Sequence, residues 1–325
     1  MSRRSTYDIM HAYSIENAGI NRDYYVPTYY NGRIYVFRKN QVMIIDEDDT
    51  LEFKDLALNI SYHILSSMVI GDKIYLGDSD QFHIYDTGTD TVSTVSSPGF
   101  MICGMALSPA GKIYCTHWSP AGGSNDRKIL IINTADNSIS YLPGYSFSSE
   151  FTSGDTGVTG PDGFLYFFDN TNLLVIDPAG NSFERIPHGL NAPSRVIVHN
   201  GNIYIYGQAR KLYRFDSSNR QYTEIPIPGS QVSSLYFFYK MISLNDTCIL
   251  FTPSGAKGIM LLNTATNTCR VSQNYIGSLS TSTGDLDAAR MGETNKIYLI
   301  PRSSTAKRSI LVTVLNASAY MPPAP

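Results

Sequence analysis

The stretch GDKIYLGDSDQFHIYDTGTDTVSTV (71–95) decides the fold. It opens on a Gly-Asp turn, runs into the apolar-Tyr strand KIYLG, and meets a second apolar run that ends in an acid, HIYD (83–86). After Asp86 the chain reverses through TGTD and enters the β-branched run TVSTV. An Asp side chain at such a place accepts a hydrogen bond from a backbone N–H two residues on, which is the chemistry of a tight reversal. Short strands separated by turns, with no helical period between them, spell antiparallel hairpins.

Working outward, the same grammar recurs along the chain. The turn-plus-strand part returns as NGRIYVF (31–37), AGKIYCT (110–116), DGFLYFF (162–168), NGNIYIY (200–206), NDTCILF (245–251) and TNKIYLI (294–300), making seven with 71–77. The part that ends in Asp or Asn returns as MIID (43–46), LIIN (130–133), LVID (174–177), YRFD (213–216), LLN (261–263) and VLN (314–316). Another short strand precedes each unit, as in YYVPTYY, HILSSMVI, FMICGMAL and RVIVH, so each unit offers four strands. A sheet this small cannot bury its own faces, so repeated copies must stack on one another.

The expected fold is therefore all-β, a seven-bladed β-propeller of four-stranded antiparallel blades. The blades fall near 24–56, 62–97, 100–143, 152–187, 194–227, 233–272 and 285–316, within one domain spanning 1–325. The last unit lacks a fourth strand and runs out in a Pro-rich tail, 317–325, which cannot continue a sheet. An orphan strand-like segment, TYDIMHAY (6–13), precedes the first unit and is expected to supply that strand and close the ring.

The DTGTDTV (86–92) and NTATNTC (263–269) segments resemble the turn signature of YVTN-type repeats, and GKIY and NGRIYVF are similar to the kelch-type second strand. The double glycine usual after that kelch strand is absent, so the resemblance implies the propeller superfamily and no family within it. Propellers host enzymes, receptors and scaffolds alike, and fold does not dictate function.

Composition agrees with a large packed core: 42% of the 325 residues are hydrophobic and only 16% charged. The opening MSRRSTYDIMHAY has two arginines but no apolar run behind them, and no stretch has the length of a membrane helix. The expected location is cytoplasmic or within a virion. Cys103, Cys115, Cys248 and Cys269 form no CxxC pair. Cys103 and Cys115 fall on neighbouring strands of one hairpin, within reach of a disulfide; lacking a leader, all four are read as reduced and buried.

No linear catalytic or metal motif stands out. The six histidines, His11, His63, His83, His117, His188 and His199, are scattered, and GxSxG, HExxH and P-loop patterns are missing. A calcium site of the lactonase type would draw on acids such as Asp155, Asp285 and Asp287, whose ordinary reading is solvated carboxylates. No metal or cofactor is expected. The in-register Tyr35, Tyr75, Tyr114, Tyr166, Tyr204 and Tyr298 read as packing residues whose hydroxyls reach a polar edge.

Charge is divided between two sets of connections. Loops joining second to third strands carry Arg38, Lys39, Arg127, Lys128, Arg210, Lys211, Lys257, Arg302, Lys307 and Arg308 against Asp78, Asp80, Asp126 and Asp169, ten against four, or +6. Turns joining third to fourth strands carry Asp46, Glu47, Asp48, Asp49, Asp86, Asp90, Asp136, Asp177 and Asp216 against Arg220, nine against one, or −8. A basic face attracts anionic partners; the plainer reading is that Asp is simply a good turn residue. HWSPAGGSNDR (117–127) holds the only tryptophan, Trp118, and PRSSTAKR (301–308) is the most basic loop.

The function expected is a non-enzymatic interaction scaffold. It would bind a protein or an anionic polymer through Arg38, Lys39, His117, Trp118, Arg127, Lys128, Arg210, Lys211, Arg302, Lys307 and Arg308. One version is a homo- or hetero-oligomeric structural part of a larger particle such as a phage virion. The alternative is a propeller enzyme, of lactonase, hydrolase or lyase type, with its site at the central channel mouth.

Overall fold

Every regular element among the described residues is a β-strand, as the alternating apolar pattern requires. The computed structural model describes residues 10–15, 26–38, 40–57, 66–78, 81–95, 101–118, 128–146, 157–190, 193–207, 211–227, 238–253, 259–272, 286–292, 296–301 and 310–315. In chain order, β1 is Met10–Ile15, and β2 to β5 are Pro27–Tyr30, Arg33–Arg38, Gln41–Ile45 and Leu51–Asp55. β6 to β9 are Ser66–Ile70, Lys73–Gly77, Phe82–Asp86 and Thr91–Val95; β10 to β13 are Met101–Leu107, Lys112–Trp118, Leu130–Asn133 and Ile139–Tyr141. β14 to β17 are Gly157–Thr159, Leu165–Phe168, Asn172–Asp177 and Ser182–Pro187. β18 to β21 are Pro193–His199, Asn202–Gly207, Leu212–Asp216 and Gln221–Ile225. β22 to β25 are Phe238–Asn245, Cys248–Pro253, Ile259–Asn263 and Thr268–Ser272; β26 to β28 are Leu286–Arg290, Lys296–Pro301 and Ile310–Leu315.

The chain divides into two compact units, Leu56–Ile227 and Met1–Asp55 with Pro228–Pro325. The first of these holds the sheets β6–β9, β10–β13, β14–β17 and β18–β21, each in simple up-and-down order. Their first strands lie against one another in succession, β6 on β10, β10 on β14 and β14 on β18. The other unit holds β2–β5, β22–β25 and a sheet ordered β1-β28-β27-β26. There too the first strands adjoin, β22 on β26 and β26 on β2. These are the four-stranded antiparallel blades of an all-β propeller.

The N-terminal strand does complete the sheet of β26–β28, pairing antiparallel with β28 from Met10↔Leu315 to Ile15↔Ile310. Its described part, Met10–Ile15, includes positions 10–13 of the expected strand and runs two residues further; positions 6–9 lie outside the described residues.

Second and third strands are apolar almost without interruption because neighbouring sheets cover both of their faces. Tyr75, Phe82 and Ile84 pack with Ile102, Met105, Ile113, Cys115, Leu130 and Ile132 of the next sheet. Tyr166, Phe168, Leu173 and Val175 likewise meet Val196, Ile203, Ile205 and Phe215. In the other unit Ile34, Val36, Met43 and Ile45 pack with Ala289, Met291, Tyr298 and Ile300. Each such side chain contributes roughly 1.5–3 kcal/mol by leaving water. Fourth strands keep one exposed face, and there the alternating polar residues appear.

The turns after the third strands follow the Asx chemistry. The Oδ1 atoms of Asp86, Asn133, Asp177, Asp216 and Asn263 accept from the N–H two residues on, at Gly88, Ala135, Ala179, Ser218 and Ala265. Four residues after each comes a positive-φ position, Asp90, Asn137, Asn181, Arg220 and Asn267. Asp46 departs from this, because its turn is one residue shorter. Its Oδ1 accepts instead from Arg33 Nε at 2.8 Å, and Asp48 caps the Thr50 N–H.

Candidate functional site

The loops joining second and third strands differ in how they are mounted. β3 and β15 stay paired with their third strands to the last residue, Arg38↔Gln41 and Phe168↔Leu173. β11 does not. It pairs with β12 only over Lys112–Cys115, yet stays paired with β10 as far as Ile102↔His117 and Met101↔Trp118. Its last three residues, Thr116 to Trp118, thus rise past β12 as a two-stranded ribbon. β10 accommodates this with a bulge between Ile102 and Gly104, which adds twist where the ribbon leaves the sheet. Shorter overhangs occur at β23 and β27, which reach Pro253 and Pro301 against their first strands but only Phe251 and Leu299 against their third.

The structure places the residues singled out from sequence as follows. His117 and Trp118 sit at the top of the β10–β11 ribbon, and Lys128 returns the chain to β12 in the same sheet. The Lys128 ammonium lies 5.4 Å from the centre of the Tyr141 ring. Lys211, at the entry to β20, donates to Glu224 Oε2 at 2.8 Å, and this hydrogen bond raises the pKa of its ammonium. Arg38 ends β3. Lys39, Arg127, Arg210, Lys257, Arg302, Lys307 and Arg308 lie outside the described residues. Asp155 and Asp285 do too, whereas Asp287 lies in β26 opposite Ile300.

Two acids counted in that loop set are not surface charges. Asp78 is fully buried and Asp169 is 5% exposed. Asp169 follows β15, and its Oδ1 accepts from the N–H of Thr171 at 2.7 Å and of Asn172 at 2.5 Å. His188 closes that corner. Leu190 N–H donates to His188 Nδ1 at 2.9 Å, which leaves the ring proton on Nε2 to donate to the Asp169 carbonyl at 3.0 Å. Burial lowers the pKa of this imidazole, in keeping with the neutral tautomer.

Asp78 occupies the equivalent corner after β7 but faces His83, a residue that sequence reading left among the scattered histidines. His83 Nε2 lies 3.4 Å from Asp78 Oδ2, with both side chains fully buried. The two groups are in close contact without a hydrogen bond, and Nε2 has no hydrogen-bond partner. His83 Nδ1 meets Thr94 Oγ1 at 3.1 Å across the β8–β9 pair. The Ile102 N–H bonds the Asp78 carbonyl at 3.3 Å, so the cluster also ties in the next sheet. Acid, imidazole and hydroxyl stand in the order of a proton relay, but the first two are sealed from water. The signal in the sequence is the five-residue spacing of Asp78 and His83 across a hairpin, joined to the His83↔Thr94 register.

The acidic turns are occupied by turn chemistry and by tyrosines. The Thr89 N–H lowers the pKa of Asp86, and the Ser138 and Ser218 hydroxyls do the same for Asp136 and Asp216. Tyr85 OH donates to Asp90 at 2.6 Å, Tyr166 OH to Asp162 at 2.5 Å, and Tyr298 OH to Asp49. The six in-register tyrosines are all buried, from 0% to 4% exposed. Cys115, Cys248 and Cys269 are buried thiols, so Cys115 forms no bridge to Cys103. Among the described residues no group of three His, Cys, Asp or Glu is placed to hold a metal ion. Nor is any helix there long and apolar enough to cross a membrane.

Neither a protein-family model nor a curated relative matches the sequence. Solved structures do match. A streptogramin B lyase structure superposes with a TM-score of 0.73 at 17% identity, covering 96% of this chain and all of that one. The chain is a β-propeller. YCF48 bound to D1 peptide aligns at a TM-score of 0.69 and 11% identity, over 96% of this propeller and 97% of that chain. The Pan2 WD40 domain of Neurospora crassa aligns at 0.64 and 10%, over 90% and 88%. At such identities the likeness is one of fold.

Proposed function

We propose that the chain is a seven-bladed, single-domain propeller scaffold without catalytic activity, engaging an anionic or protein partner through its second-to-third-strand connections. The observation that carries this reading is the raised β10–β11 ribbon. It extends a strand past its sheet as far as His117 and Trp118, and Lys128 leads the chain back to β12 of the same sheet. Loops mounted on rigid strands are where binding residues concentrate, and a tryptophan near basic residues is a common interface anchor. The likeness to a WD40 domain and to a peptide-bound propeller supports the same reading. The basic loop residues Arg38, Lys39, Arg210, Lys211, Arg302, Lys307 and Arg308 are proposed to add sequence-independent attraction. Incorporation into a larger particle would use the same surface.

The test is fluorescence anisotropy with labelled DNA and a labelled sulfated polysaccharide across a salt series. The variants are Trp118→Ala and the pair Arg127→Glu with Arg210→Glu. Lys211 is left in place because its ammonium is held at Glu224. Binding that weakens with salt and is lost in both variants supports an anionic partner. Absence of binding by the wild type removes the anionic partner and leaves the protein one. The lyase likeness favours a second reading, a lyase-type enzyme. Lyase turnover of a streptogramin substrate that survives Trp118→Ala would replace the scaffold.

A further inference from the structure

β5 is the outer strand of its sheet, and among the described residues no strand pairs with its outer edge in the order β2-β3-β4-β5. Its sequence is Leu51, Glu52, Phe53, Lys54, Asp55. Phe53, at 43%, is the most exposed large hydrophobic side chain among the described residues. Open edges invite pairing, and charges usually blunt them. The charges here are arranged so that one pairing is favoured.

The backbone sets which groups face outward. Asp46 N–H donates to the Thr50 carbonyl at 3.1 Å, so Asp46 and Thr50 form a hydrogen-bonded pair. Such pairs alternate along an antiparallel ladder, so Glu52 and Lys54 bond inward to Ile44 and Val42. The N–H and C=O groups of Leu51, Phe53 and Asp55 then point to the open edge. A second copy related by a two-fold axis at Phe53 would bond all three, as Phe53 with Phe53 and Leu51 with Asp55 twice. In that same register each Glu52 stands directly opposite the other copy's Lys54. Their own intrachain contact, 3.5 Å, shows that the two side chains share one face of the strand.

Two other outer strands, β25 and β17, reject themselves. A two-fold pairing of β25 about its centre sets Arg270 against Arg270. In β17 it sets Glu184 against Glu184 or Arg185 against Arg185, and that strand ends in Pro187. We propose that β5 is a self-association edge, at which a second copy of this chain adds antiparallel about Phe53. Five paired residues bury far less than the ~1,600 Å² of a standard stable interface, so the dimer is weak and concentration-dependent.

Sedimentation velocity of the full chain from micromolar to millimolar concentration tests this. Wild type dimerises. Glu52→Lys and Lys54→Glu each set like charges opposite one another at both pairs and weaken dimerisation about tenfold. The double variant Glu52→Lys/Lys54→Glu restores it, as does mixing the two single variants in equal amounts, where one strand's lysines meet the other's glutamates. Hydrogen exchange at Leu51, Phe53 and Asp55 slows as concentration rises. Thermal melts confirm that each variant is folded. A wild type monomeric at millimolar concentration overturns the proposal, as does a mixture that fails to recover the dimer while both variants are folded.

Discussion

Replacing Asp78 by Ala isolates what the buried corner contributes. Asp78 and His83 are both fully enclosed and 3.4 Å apart. Removing one member of such a pair leaves the other without compensation in a low-dielectric setting, at a cost of about 3–5 kcal/mol. For a chain of this size, at about 2 °C per kcal/mol, the melting temperature should fall by roughly 6–10 °C. His83→Leu should also destabilise, since it puts an apolar group against a fully buried carboxylate. Its other partner, the Thr94 hydroxyl, lies on the exposed side of β9 and can turn to water. Replacing both residues by Leu removes both polar groups, so the double variant should recover most of either single loss. Both residues lie in the Leu56–Ile227 unit, so differential scanning calorimetry should place the loss in the transition to which that unit belongs. An Asp78→Ala variant that melts within about 2 °C of wild type would refute the reasoning. Additive losses in the double variant would do so as well.

Deleting residues 1–16 removes β1 and leaves the outer face of β28 unpaired, so the whole protein should melt lower; an unchanged melting temperature would show that the strand is dispensable. Asp86 and Asp216 have folded-state pKa values below their unfolded ones, so their contribution is present above the unfolded value and lost as pH falls through the folded one. Melting temperature should therefore drop below about pH 4, and Asp86→Asn with Asp216→Asn should flatten the drop, because Asn133 and Asn263 already hold the same turn. Burial raises Cys248 and Cys269 to about 12, so neither thiol should react with a thiol reagent at pH 8 until denaturant is added; prompt reaction of either would contradict the packing.

The repeat was legible because its instructions are local. Asp86, Asn133, Asp177, Asp216 and Asn263 each bond within three residues, and the positive-φ position four residues on is filled mostly by Asn or Asp, which tolerate it. The tyrosine of the second strand, present in six of the seven units, was legible for the same reason, being fixed by register. The buried corner was not. Asp78 and Asp169 sit at matching places in the grammar and look like loop acids. Neighbours distant in sequence enclose them, Ile102 beside Asp78 and His188 beside Asp169, and a histidine on the third strand distinguishes one corner from the other. The ribbon under Trp118 was hidden too, because the length of a strand beyond its partner depends on where that partner begins, across a connection of more than ten residues. A charge count made from sequence therefore included two carboxylates that are buried in the fold.

The pairing of Met10 with Leu315 makes the first and last described strands a hairpin in all but covalent bond. A short turn joining those two positions, with new termini cut into the Asx turn at residues 178–180, would give a circular permutant with every strand pair of the native sheets retained. The sheet closed by β1 holds by association between distant parts of the chain, whereas the β14–β17 sheet holds by continuity. Such a permutant would exchange those two kinds of attachment. Comparing its unfolding rate with that of the native connectivity would separate how firmly a blade is packed from how it is tied.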